Sequence, residues 1–238
     1  MTVWVLAAVA AVLIWSWGTG SRAELASLGW YEIFFLFVSS AFLGDCFETV
    51  FVWLTRGVLM SRSSLLYAPL SLVWGLGAVL MTLALFPLAR KGNLALFTAG
   101  AVLGGGFEYL ASLVLELATN RLFWDYSNIP LNLDGRTNLW FALFWGAAAV
   151  FWVRIAAPGL LRLLKKIPRH GGQVAALVVA VMLMADVSLS AAALLRMEER
   201  DRGAAPSNRV EQVLDTWYSD AVLQVRYQNM QLPVADAA

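Results

Sequence analysis

The chain has 238 residues, 60% of them hydrophobic and only 14% charged, where a water-soluble domain carries roughly 25% charged residues. That balance excludes a soluble globular fold. A formal net charge of +1, with no Lys/Arg cluster interleaved with aromatics, excludes a nucleic-acid partner.

A single cysteine, Cys46, and a single histidine, His170, leave no internal disulfide, Cys-rich zinc site or His-based iron triad. Any metal would have to be held by carboxylates and carbonyls. We expect neither a metal nor a cofactor, and no catalytic set. Cys46 falls in an apolar run and reads as a small buried hydrophobe.

The composition points to an all-α integral membrane protein of about six transmembrane helices, followed by a C-terminal extramembrane amphipathic helix. The runs are long and continuous, unlike the short alternating strands of an outer-membrane barrel. The first, about 3 to 20, has no basic residue before its apolar core and reads as a retained helix rather than a secretory leader. It is short for a span. Five more follow at about 31 to 54, 65 to 88, 94 to 117, 138 to 158 and 174 to 195, each near the ~20 residues that cross a ~30 Å hydrocarbon layer. Pro87 with Arg90, Lys91 and Gly92, then Pro158, then Pro168 mark breaks between them. Residues 1 to 195 thus form a transmembrane domain, and the bilayer is the first partner.

At residue 196 the chain turns polar, beginning Arg196-Met197-Glu198-Glu199-Arg200-Asp201-Arg202. Within this 196 to 238 tail, Asn208 and Glu211 form a capping-box start. Val210, Val213, Leu214, Trp217, Ala221 and Val225 recur at helical spacing. We expect one amphipathic helix over about 208 to 230, lying on the bilayer or on a partner.

Loops 18 to 30, 89 to 93 and 159 to 173 carry Arg22, Arg90, Lys91, Arg162, Lys165, Lys166 and Arg169, and the opposite loops carry Arg56, Arg62, Arg121 and Arg136. By the positive-inside rule the first set is cytoplasmic, which puts both termini on the non-cytoplasmic side of a bacterial inner membrane. Arg196, Arg200, Arg202 and Arg209 of the tail reduce this contrast.

Ionisable residues inside spans are costly, by ~2.5 to 3.5 kcal/mol on insertion scales, so each needs a partner or a purpose. They are Asp45 and Glu48 in the second span, Glu108 and Glu116 in the fourth, and Asp186 in the sixth. Parity puts Glu48, Glu108, Glu116, Arg56, Arg62 and the long loop 118 to 137 on one membrane face in either orientation. That loop contains Asp125 before Ser127 and the pair Asp134-Gly135, both turn signatures, and Arg136 is placed to meet Glu48 or Glu108. Gly104-Gly105-Gly106 beside Glu108 reads as a close helix approach or a kink.

The blocks Phe107-Glu108-Tyr109-Leu110, Trp124-Asp125-Tyr126-Ser127, Asn132-Leu133-Asp134-Gly135-Arg136 and Phe144-Trp145-Gly146, in this order, resemble those of the CmpB-type ABC transporter type IV membrane proteins. Two looser blocks precede them: Phe42-Leu43-Gly44 with Glu48, and Arg56-Gly57-Val58-Leu59. Asp45 stands where the family has Trp, and the stretch from Ser61 to Pro69 departs from the family's Gly/Pro-rich segment. The likeness runs from about Phe42 to Pro168. It implies a permease but no particular substrate, with any ATPase, or other membrane-complex subunits, on separate chains, since no Walker A loop is present; the polar residues on one face suggest that a small polar or ionic solute is moved or bound.

On that reading Glu48, Arg56, Glu108, Trp124, Asp125, Tyr126, Asn132, Asp134 and Arg136 line a pocket open to one membrane face. The alternative is a non-catalytic scaffold or accessory subunit in which the same residues form structural pairs. A lipid-linked hydrolase ranks last: no nucleophile and base stand at a recognisable spacing, and His170 is on the opposite face.

Overall fold

The computed structural model describes residues 2 to 18 and 28 to 231. Arg22, on which part of the charge asymmetry rests, lies outside them. Of the described residues 75% are helical, as the continuous apolar runs require of backbone that must satisfy its own hydrogen bonds in hydrocarbon.

Among the described residues five helices are long and apolar enough to cross a membrane. These are α2 (Trp30–Arg56), α3 (Leu72–Leu85, continued as a 3-10 turn over Phe86–Lys91), α4 (Asn93–Thr119), α5 with α6 (Leu139–Phe151 and Ala157–Leu164), and α7 (Arg169–Asp201). A further apolar helix, α1 (Thr2–Gly18), has 17 residues. Two short helices, α8 (Arg209–Trp217) and α9 (Asp220–Arg226), end the chain, and β1 (Asn132–Leu133) pairs antiparallel with β2 (Thr137–Asn138).

α4 is the centre of the bundle, packed by α1, α3 and α5. Its glycines explain why. A Cβ at Gly104 would fall inside the Trp145 ring, and one at Gly106 would overlap Val9 of α1. The Gly-Gly-Gly run is therefore a close-approach surface for two neighbouring helices at once, the small-residue packing that membrane helices use where no hydrophobic drive exists between them. Leu85, Leu96, Leu103 and Ala149 are essentially inaccessible in the resulting core, and the Trp152 indole donates to Thr82 Oγ1 at 2.9 Å.

Four expectations are corrected. The third span begins at Leu72 rather than 65, because residues 61 to 71 are held in a non-helical loop by side chains. Ser63 Oγ donates to Ala68 O at 2.7 Å, Asp186 accepts from the Tyr67 and Ala68 N–H groups, and Ser190 Oγ accepts from Leu66 N–H. The costly acid of α7 is thus the acceptor for a loop whose backbone has no helix to satisfy it.

Pro158 does not end its helix. A π-helical turn over Trp152–Ala156, with Ala157 N–H donating to Trp152 O, lets the helix run on to Leu164. The wider turn makes room for a ring that would clash with the carbonyl four residues back.

Cys46 is exposed on α2 rather than buried. The tail forms two helices instead of one, broken at Tyr218 and Ser219, and it docks on its own chain: Leu214, Leu223 and Tyr227 are buried against Ala193, Leu194 and Met197 of α7.

Candidate functional site

The polar residues gather at the ends of α2, α4 and α7 on one face. Glu108, in the second half of α4, is buried, and both of its oxygens are occupied. Tyr126 Oη donates to Oε1 at 3.0 Å and Thr137 Oγ1 donates to Oε2 at 2.8 Å, with the Trp145 indole alongside. Tyr126 is held by stacking on Phe141, ring centroids 4.7 Å apart. Burial, reinforced by Glu108 and Glu48, pushes the Tyr126 phenol above its ordinary range, so it stays a donor.

Glu48 of α2 lies near enough to act through space on both Glu108 and Tyr126. Its cation is Arg62, at 3.8 Å, and Trp74 lies on its other side. Arg56 is exposed in the last turn of α2 and stands apart from this cluster. Asp45, one turn before Glu48, is buried beside Arg62, within the field of Arg226 from α9.

The long loop is compact because its turns are built from its own side chains. Asp125 Oδ1 accepts from the Ser127 N–H and hydroxyl, Asn132 bridges Ile129 O and the Gly135 N–H, and Trp124 Nε1 donates to Arg136 O. Asp134 and Gly135, both at positive φ, let Arg136 N–H return to Leu133 O. Gly135 is required twice, for that φ and because a Cβ there would meet Ser127 and Asp125. Asp134 Oδ2 accepts from Tyr109 Oη at 2.7 Å, and that hydroxyl also meets Thr2 Oγ1 at 3.0 Å.

Arg136 corrects the sequence reading: it pairs with Glu116 and donates to Ser112 Oγ at 3.2 Å, reaching neither Glu48 nor Glu108. Glu116 follows Ser112 by one helical turn, so both face the incoming guanidinium. Beside this pair opens a cleft of about 480 Å³ between the ends of α4 and α7, lined among others by Glu116, Asn120, Arg136, Glu198, Asp201 and Arg202. Arg121 pairs with Asp201 between the two helix ends, and Arg202 pairs with Glu198 one turn back along α7.

Thr137, Tyr109, Trp74 and Trp145 carry contacts that sequence reasoning assigned no role. Thr137 follows Arg136 directly, and Tyr109 and Trp145 lie in the family-like blocks, so only Trp74 had no signal in the sequence. Among the described residues no group of three or more His, Cys, Asp and Glu side chains gathers as a metal site.

A helical bundle with five membrane-length apolar helices and a polar cluster at one end of it fits an integral membrane protein of transporter-like build. The chain belongs to the family described as "Putative ABC-transporter type IV", which matches residues 35–191. Comparison with curated proteins and with solved structures gave no match.

Proposed function

We propose that this chain is the membrane permease component of a transport system, binding or moving a small polar or ionic solute from one membrane face, with any ATPase on a separate subunit. The observation that carries this is the succession of polar contacts inward of the cleft: Arg136 at its rim pairs with Glu116 and donates to Ser112, and its chain neighbour Thr137 donates to Glu108, which also accepts from Tyr126. The cleft's three acids and two arginines suit a small ligand carrying both signs of charge, which would exchange with the internal pairs.

Of the sequence-derived site residues, Glu108, Tyr126 and Arg136 belong to this succession, and Glu48 acts on Glu108 through space while pairing with Arg62. Trp124, Asp125, Asn132 and Asp134 shape the loop that presents Arg136, and Arg56 lies outside. We place the protein in a bacterial inner membrane with both termini on the non-cytoplasmic side, on the loop charges.

The test is flux of labelled zwitterionic and ionic solutes into proteoliposomes, comparing wild type with Arg136→Gln and Glu108→Gln. Uptake that falls at least tenfold in both supports the succession. Uptake unchanged in both removes it from the mechanism.

A second reading, a scaffold or accessory subunit, is favoured by the fact that Glu108, Glu116 and Asp134 each already have a partner inside the chain. Copurification at native expression separates the two: an ATPase subunit points to transport, and a large assembly without one points to the scaffold.

A further inference from the structure

The tail lies beyond the family match, which ends at residue 191, and its outer face has no partner among the described residues. Turning about 100° per residue, α8 divides into three ridges. Glu211, Leu214 and Asp215 dock on α7: Leu214 is buried there, and Asp215 pairs with Arg196 and Arg200. Arg209, Gln212 and Thr216 form a polar ridge. Val210, Val213 and Trp217, within about 60° of one another, form an apolar ridge that is 67%, 54% and 70% exposed.

What covers that ridge follows from the depth at which the tail is fixed. The apolar stretch of α7 ends at Leu195 and its charges begin at Arg196, so the hydrocarbon edge lies between them. The tail's buried residues pack on Ala193, Leu194 and Met197, astride that edge, and Arg226 of α9 reaches down to Leu65 O at 2.7 Å. The surface of α7 at this level continues outward through Leu195, an apolar side chain 48% exposed.

We propose that α8 lies in the bilayer interface, with Val210, Val213 and Trp217 seated in the boundary between headgroups and acyl chains and the Arg209–Gln212–Thr216 ridge facing water. The tail is then clamped between α7 and lipid, one ridge to each. Trp217 is suited to that depth, since an indole has an apolar body and one N–H for the headgroup layer.

The experiment uses full-length protein with Cys46→Ser and one new cysteine, at Val213, Val210 or Gln212, labelled with an environment-sensitive fluorophore and reconstituted in phosphatidylcholine vesicles. Wild-type protein labelled at Cys46, exposed on α2 among the exposed apolar side chains Phe42, Leu43, Phe47 and Val50, is the reference for lipid contact. We expect labels at 213 and 210 to be blue-shifted and quenched several-fold more by lipids bearing a shallow nitroxide than by iodide, with the reverse at 212. Labels at 213 and 210 that follow iodide as 212 does would overturn the proposal. So would labels shielded from both quenchers, the result expected of a second copy or a protein partner on the ridge.

Discussion

Replacing Thr137 by Val keeps the shape of a buried side chain, 3% exposed, and deletes one hydrogen bond, the 2.8 Å donation to Glu108 Oε2. Hydrogen bonds between neutral groups in membrane proteins average only about 0.6 kcal/mol and reach about 1.7. A carboxylate acceptor raises the range to about 1.5–3 kcal/mol, and an oxygen left without a donor in a buried site pays desolvation as well. Tyr126 still serves the other oxygen, which puts the expected loss at the overlap of these ranges, about 1.5 kcal/mol, or about tenfold in the unfolding constant. The assay is reversible SDS unfolding in mixed micelles, with Thr137→Ser as the control that keeps the hydroxyl. A Glu108→Gln/Thr137→Val cycle isolates the pair term. If Thr137→Val and Thr137→Ser unfold together, the bond contributes nothing and the polar succession loses its central link.

Three other outcomes follow from the packing and the charges. Gly104→Ala forces a methyl into the Trp145 ring and should cost about 1–3 kcal/mol by overpacking, read in the same unfolding assay; Gly159→Ala, with open space at its Cβ, should not. Asp186→Leu removes the acceptor for Tyr67 and Ala68 N–H, so residues 61 to 71 should become cleavable by protease in reconstituted protein while the bundle stays intact. Hydrogen bonds from Arg196 hold the Asp215 carboxyl down at about 2 from its ordinary 3.8, and Glu211 is also lowered, chiefly by Ser207. Because the folded pKa is depressed, the docking these groups support is fully present above their ordinary values of 4.5 and 3.8 and is lost as pH falls toward 2. Spin-label distances between α7 and α8 should hold from neutral pH to about pH 5 and lengthen only below it.

The helices and the gathering of acids on one face were legible because burial in lipid leaves a periodicity-independent mark, the long uncharged run, and because parity fixes which ends share a side. The Asp125 and Asp134-Gly135 turns were legible for a local reason, since their chemistry lies within a few residues. The third helix was misjudged at its start because residues 65 to 71 are apolar enough to span, and what unwinds them is Asp186 and Ser190, more than a hundred positions away. Arg136 was assigned to the wrong acid because spacing gives the reach of a side chain but not the rotation of α4, which turns Glu116 and Ser112 toward it. Pro158 misled in the opposite direction, since a π turn that accommodates a proline has no sequence signature.

At 33 residues, α7 rises about 50 Å, against a hydrocarbon layer of about 30 Å. Its projecting end is gripped by α8 and α9 through Arg196 and Arg200, and lower down its Asp186 and Ser190 hold the loop that carries Arg62 toward Glu48. The tail and the Arg62–Glu48 pair are therefore fastened to the same helix, one at its projecting end and the other through a loop held about two to three turns lower.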